Sequence, residues 1–326
     1  MIACQKSALI AAGLLTAWTL APLPSVAQSY PDKPVRIVVP IAPGGVADIA
    51  ARALAHAVSE KSGKTIVVEN RTGGAGIPGA DHVAKSEPDG YTFLMGYHGV
   101  LSILPHMQTL PYNAEKDFVP VVHVISVPNV LVTHPKVPVT NLKELIAYAK
   151  KNPGKLTFAS QGVGTTGHLG TELFKQLTGT DVVHIPYKGA APASQDLVAG
   201  HVNAMFDVAA LARANIEAKK ARPIGIATPE RSPAMPDIPT LREQDLPIEL
   251  TAWFGIVAPA GTPQEAIDWM NKAANDAFST PKSQKRFTDT GASMPLGTAE
   301  AFGKHIAAES KLYGEVVRKA GIKKIN

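Results

Sequence analysis

The stretch Val35-Arg36-Ile37-Val38-Val39-Pro40-Ile41-Ala42-Pro43-Gly44-Gly45-Val46-Ala47-Asp48 decides the fold class. An apolar run ends at a Pro-Gly-Gly turn, and from Val46 to Ser62 apolar residues return at Val46, Ile49, Ala50, Ala53, Leu54, Ala57 and Val58, the spacing of one helix face. That is strand, tight turn, helix. The unit repeats outward: Thr65 to Glu69 reads as a strand, a glycine-rich bend and a helical stretch around Asp81 to Ser86 follow, and Tyr91 to Gly96 is the next strand. Such alternation builds a mostly parallel sheet covered by helices on both faces, an α/β fold.

From Asp117 the texture changes. Phe118 to Val127 and Asn129 to His134 are two β-branched runs parted only by Pro128, extended enough to cross between two lobes. A second α/β series starts at Asn141, where Glu144 completes a capping-box-like start and Asn152-Pro153-Gly154 stops the helix. Strand Leu156 to Ser160, helix Gly167 to Thr178, strand Asp181 to Pro186, helix Ala191 to Ala199 and strands Val202 to Asp207 and Pro223 to Thr228 follow. Arg231 to Pro247 is a proline-rich linker, Leu250 to Ala258 is strand-like, and two helices close the chain. One of these is capped by Thr262 with Pro263 first, and the other begins near Thr298. The expected organisation is residues 1–27 as a signal peptide, 28–127 with 251–326 as lobe one, and 128–250 as lobe two.

The chain has 326 residues, room for two domains, and its 27 prolines are about 8% of it against a usual ~5%. A formal charge of +5 is scattered, with no run of Lys or Arg longer than two, which argues against a nucleic-acid reader and suits a protein that meets small anions. Lys6, the apolar stretch Ala8 to Leu23 and the small-x-small site Ser25-Val26-Ala27 form an export signal, with cleavage expected after Ala27. Cys4, the single cysteine, falls inside that signal, so the exported chain can bind no metal through sulfur.

Two loops share one design. Pro43-Gly44-Gly45-Val46-Ala47-Asp48 and Ser160-Gln161-Gly162-Val163-Gly164-Thr165-Thr166 each lie between a strand and a helix, and glycines let backbone N–H groups turn toward one point ahead of the helix. Partial positive charge there favours an anion, and ligands of open α/β sheets bind beyond the carboxyl ends of the strands. Asp48 either caps its helix or faces the ligand. Ser160, Thr165 and Thr166 can donate to a carboxylate or cap the following helix, and His168 either reaches the anion or packs against the helix. Gly96, Tyr97 and His98, at the end of the third strand, either cover the apolar body of a ligand or pack at the sheet edge.

Enzyme readings find little support. Gly74-Ala75-Gly76-Ile77-Pro78-Gly79 matches a dinucleotide fingerprint, but Asn70 to Gly73 part it from its strand, Pro78 interrupts the expected helix start, and no acidic residue follows the next strand. Ser160, His168 and Asp207 form a triad only on paper, without a GxSxG elbow, so a secreted α/β hydrolase in the same cleft is the alternative reading. Neither HxH nor HExxH occurs among ten histidines, and no metal or cofactor is expected.

The ordered set Tyr30-Pro31, Lys33-Pro34, Pro43-Gly44-Gly45 with Asp48, Val68-Glu69-Asn70-Arg71, Pro88-Asp89-Gly90-Tyr91-Thr92, Lys116-Asp117-Phe118, Phe158-Ala159-Ser160 with Gly162, Gly164 and His168-Leu169, His184-Ile185-Pro186-Tyr187-Lys188-Gly189, Phe206-Asp207 and Trp253-Phe254-Gly255 resembles the Bug family. These are periplasmic receptors of tripartite tricarboxylate transporters. The resemblance implies a type II periplasmic binding fold, two α/β lobes with a central cleft and two hinge crossings. Such a protein closes on a small carboxylate and delivers it to membrane permease subunits. It also implies that the Pro43–Asp48 and Ser160–His168 loops hold the ligand through main-chain groups and waters, with Asp207 and the Tyr187-Lys188 turn near the same cleft. The expected form is a monomer that makes and breaks no bond. Ala42, Val46, Ala47, Tyr97 and His98 stand where such proteins often carry smaller or hydroxyl residues, which suits a dicarboxylate with an apolar or aromatic spacer.

Overall fold

The computed structural model describes residues 30–319, 321 and 324, so the expected signal peptide and Cys4 lie outside the described residues. In chain order the elements are β1 (Val35–Val39), α1 (Val46–Ser62), β2 (Ile66–Asn70), α2 (Ile77–Ala84), β3 (Thr92–Tyr97), α3 (Leu104–Met107), β4 (Phe118–Thr133), α4 (Leu142–Lys151), β5 (Thr157–Ser160), α5 (Thr166–Thr178), β6 (Val183–Pro186), α6 (Ala190–Ala199), β7 (Ala204–Val208), α7 (Ala209–Glu217), β8 (Arg222–Ile226), β9 (Thr251–Pro259), α8 (Gln264–Ala277), α9 (Pro281–Thr288) and α10 (Ala299–Lys319). Among the described residues no helix is long and apolar enough to cross a membrane.

The strands run β2-β1-β3-β9-β4-β7-β5-β6, with β8 also on β4. β1 is parallel to β2 and β3, and β5 is parallel to β6 and β7, so each half of the sheet has its own parallel set. Between them β4 and β9 run antiparallel. β4 is a single strand rather than two runs broken at Pro128. It pairs with β9 from Phe118 to Pro128, then with β7 from Asn129 onward, so the residue without an N–H sits where one partner gives way to the next.

Helix faces follow the apolar spacing. α1 buries Ala47, Ala50, Ala51, Leu54 and Val58, one stripe of a 3.6-residue period, and Gly63 ends it in the left-handed conformation. Asn141 caps α4 as its sequence implies, accepting from the Glu144 N–H at 2.9 Å. Pro78 does not interrupt α2 but sits in its first turn, where no donor is needed. Thr262 does not cap α8; its hydroxyl donates to Pro259 O at 2.8 Å, and α8 has no side-chain cap. Among the described residues three helices, not two, follow β9, because Thr280 and Ser283 form a capping box that starts α9.

Two apolar clusters form the interior. One gathers Phe93, Trp253, Phe302 and the β1, β3, β4 and β9 side chains; the other gathers Leu131, Phe158, Phe174 and Phe206. α10 belongs to both, with Phe302 in the first and Tyr313 and Val317 in the second. The segment after α9 also reaches residues of the 128–250 stretch, since a Cβ on Gly291 would lie 3.2 Å from Ser232 Oγ and 3.6 Å from Ala209 Cβ.

Candidate functional site

The loop after β1 is held from below. Asp48 is 3% exposed, and its carboxylate accepts from Gly44 N–H at 3.0 Å, Asn70 Nδ2 at 3.0 Å and Arg52 at 2.9–3.1 Å. Burial alone would raise its carboxyl, but the hydrogen bonds from Arg52, Gly44 and Asn70 outweigh it and hold the group below the usual carboxylate range. Asp48 is therefore a strut that shapes the loop, and its oxygens are spent within the lobe. No side chain caps α1, whose N-cap is Gly45 with extended backbone. Pro43 and Gly44 are exposed and Val46 is half-buried, and no side chain accepts from the first-turn N–H groups of α1.

The loop after β5 is tied more heavily. Ser160 is fully buried; its hydroxyl pairs with His184 Nε2 at 2.6 Å and accepts from Gly162 N–H at 3.1 Å. Thr165 caps α5 by accepting from His168 N–H at 3.4 Å and donates to Gly162 O at 2.7 Å, while Thr166 is buried in the first turn. Gly164 has φ +75°, and a Cβ there would lie 2.3 Å from Leu104 Cδ2, so this loop meets α3 at a point where only glycine fits.

His168 packs and holds the loop at once. Its Nδ1 accepts from Gly164 N–H at 3.3 Å, and its ring stacks on His184 with centroids 4.4 Å apart. Burial lowers both imidazoles, His184 to about 4 with His168 and Lys175 as further causes. His168, His184 and Glu172 also offer ligating atoms that lie within 4.8 Å of one another.

The other expected site residues turn inward. Tyr97 is 5% exposed and donates to Ala75 O at 2.7 Å, and burial raises its phenol well above 10. His98 is buried with Nδ1 3.3 Å from both the backbone N–H and the carbonyl oxygen of Trp253, and burial, partly offset by the Trp253 backbone hydrogen bond, lowers its imidazole to about 4. Both side chains pack at the end of β3, the second of the two placements open to them. Gly96 serves packing, because a Cβ there would meet Leu101 at 2.6 Å. Asp207 is fully buried and accepts from Ser194 Oγ at 2.9 Å and Val208 N–H at 2.8 Å; burial raises it to about 7. Tyr187 hydrogen bonds Asp196 at 2.6 Å, and Lys188 is exposed beside it.

The triad Ser160, His168 and Asp207 is not assembled, since Ser160 pairs with His184 and Asp207 with Ser194. Sequence reading passed over Gln161 and Asn129, whose side-chain amides both donate to Phe206 O, at 2.8 and 3.4 Å, and leave buried carbonyl oxygens without a partner. A cavity of about 340 Å³ lies away from both loops, between α10, α3 and the start of β4, lined by Leu101, His106, Phe118, Pro120 and Ile306. It touches none of the loop residues.

The family model described as tripartite tricarboxylate transporter family receptor matches residues 50–322. Protein BugT of Bordetella pertussis is 37% identical over 306 residues, covering 92% of this chain and 93% of BugT. A solved R. palustris protein with adipate is 34% identical with a TM-score of 0.86, over 91% of this chain and 100% of that one. MatC from Rhodopseudomonas palustris with bound malate is 31% identical with a TM-score of 0.82, over 88% and 100%.

Proposed function

The chain belongs to the receptor family of the tripartite tricarboxylate transporters, and from that premise we propose that it captures a small dicarboxylate between the loops after β1 and β5. The fold is the type II periplasmic binding fold with two α/β lobes, and the family is one of periplasmic solute receptors rather than enzymes. One observation carries the reading: α1 and α5 begin at the carboxyl ends of β1 and β5, one in each parallel set, and α1 has no side-chain cap. An uncapped helix N-terminus takes a carboxylate.

The ligand contacts in this reading are backbone N–H groups of Val46 and Ala47 on one side and of Thr166 and Gly167 on the other, with Ser160, Gly162, Gly164 and Thr165 shaping the second loop. Asp48, His98 and Asp207 act from behind. The lobes are 28–127 with 251–326 and 128–250, the signal is cleaved after Ala27, and the protein works as a monomer that hands its ligand to the membrane subunits of its transporter. Adipate and malate, the ligands of two relatives, both carry two carboxylates, which suits two anion sites facing one cleft.

Titration calorimetry with matched pairs tests this: adipate against hexanoate, and terephthalate against benzoate. Losing one anchor removes charged hydrogen bonds of about 1.5–3 kcal/mol, or roughly 10- to 150-fold in affinity. Equal affinity within each pair would leave the charge on a single lobe. Tight terephthalate binding with weak adipate binding would select the aromatic spacer.

A further inference from the structure

We propose that His168, Glu172 and His184 form a binding site for one divalent transition-metal ion, behind the loop that follows β5. Nothing in the sequence spacing announces it, because the third member comes from a different element. His168 and Glu172 stand one turn apart on the face of α5 that looks toward β6, and His184 rises from β6, the last strand of the sheet. One nitrogen of each ring and one oxygen of Glu172 lie within 4.8 Å of one another.

The donor set is the first support. Two imidazoles and a carboxylate are a set that holds Zn²⁺ or Co²⁺ while leaving a fourth position for water. Anchoring of the rings is the second. His184 is held through Nε2 by Ser160, the kind of hydrogen bond at the other nitrogen that orients a metal-ligating histidine, whereas His168 Nδ1 accepts from Gly164 N–H and gives up that bond to ligate through Nε2. Access is the third. Glu172 is 15% exposed and His184 is half-buried, so an ion can enter from the edge of the sheet.

Seating the ion has two local consequences. Tetrahedral donors stand about 3.3 Å apart at Zn–N distances near 2.0–2.1 Å, so the trio contracts by roughly 1.5 Å at most as the stacked rings turn. In the tautomer that accepts from Gly164, the His168 proton is on Nε2. Coordination there moves that proton to Nδ1, where it faces the Gly164 N–H and breaks the long 3.3 Å bond. The competitor already present is Lys175, whose ammonium lies 3.0 Å from the Glu172 carboxylate and is exposed enough to swing away.

The test uses untagged, chelator-treated protein and Co²⁺ or Zn²⁺ alone. One equivalent of Co²⁺ should bind with the intense visible absorption of a tetrahedral site and be displaced by Zn²⁺. Glu172→Gln and His184→Gln should each weaken binding by at least about 10-fold. His201→Gln, on the surface, should leave it unchanged. Lys175→Ala should tighten binding by roughly 2- to 5-fold, since a partly exposed ion pair no longer competes. That gain is one a merely damaged fold does not produce, and it decides the case even if His184→Gln fails to fold. Absence of saturable one-to-one binding, survival of binding in Glu172→Gln, or no tightening in Lys175→Ala would overturn the proposal.

Discussion

At the scale of single residues, burial and hydrogen bonding show which side chains are spent on holding the loops. Gly164→Val adds a Cβ at 2.3 Å from Leu104 and forces a branched residue to φ +75°. The expected outcome is a folded protein that no longer binds carboxylate, read by calorimetry beside a thermal melt; unchanged affinity would take the second loop out of the site. Acid sensitivity is also set here. His98 and His184 titrate at about 4 when folded and near 6.5 when unfolded, so between those values the unfolded chain holds protons that the folded one refuses. Their contribution is therefore full above about 6.5 and is lost as pH falls toward 4, by up to about 1.4 kcal/mol per pH unit for each. Asp207, raised to about 7, works in the opposite sense and gains stability for the fold as pH falls below 7. The clean measurement is a difference: His98→Gln, whose amide oxygen can replace Nδ1 on Trp253, should lose less stability than wild type between pH 6.5 and 4. Identical pH slopes would mean that His98 is not held neutral. The loop residues were legible from glycine spacing alone. The inward turn of Asp48, Tyr97 and His98 was not, because their partners Asn70, Ala75 and Trp253 lie up to 155 residues away.

At the scale of elements, α1 and α5 end differently, and that difference is testable. Thr165 already caps α5, whereas the N-cap Gly45 has φ −75° and ψ 168°, ordinary extended backbone, and a Cβ there would meet only Ala42 O at 3.4 Å and Ile41 at 3.5 Å. Gly45→Asp should therefore fit, supply the missing cap, and place a carboxylate where the ligand's belongs. Stability should rise by about 0.3–1 kcal/mol while carboxylate affinity falls by 10-fold or more. A melt and a titration on one preparation separate the two effects, and retained affinity would mean that the ligand does not sit on α1. The alternation of strands and helices was readable because apolar periodicity is strong in β1, α1, α4 and α5. α7 was missed because Ala209, Ala210, Ala212 and Ala214 give little contrast between faces, and α9 because only Phe287 of its eight residues is buried. Pro128 misled for a physical reason: β4 changes partner there, so the missing donor costs no ladder bond.

At the scale of the molecule, the proposed receptor would close on its ligand by hinging at β4 and β9, the antiparallel strands between the two parallel sets. Small-angle X-ray scattering should give a smaller radius of gyration with saturating dicarboxylate than without it. An unchanged radius would favour a cleft that is already shut. The two extended runs were readable in the sequence, but the path of the last 40 or so residues was not, since an amphipathic helix does not state which core its stripe will meet. That path has a mechanical consequence. α10 lays Phe302 on one core and Tyr313 and Val317 on the other, so the halves are joined by a rigid rod as well as by two ribbons. Two ribbons alone make a pivot that swings freely. With the rod added, closing must shear Tyr313 and Val317 against Phe158 and Phe174 or carry the rod along, so the joint behaves as a stiff flexure with a restoring force. In the proposed receptor, closing on cargo would work against this packing, and opening would relieve it.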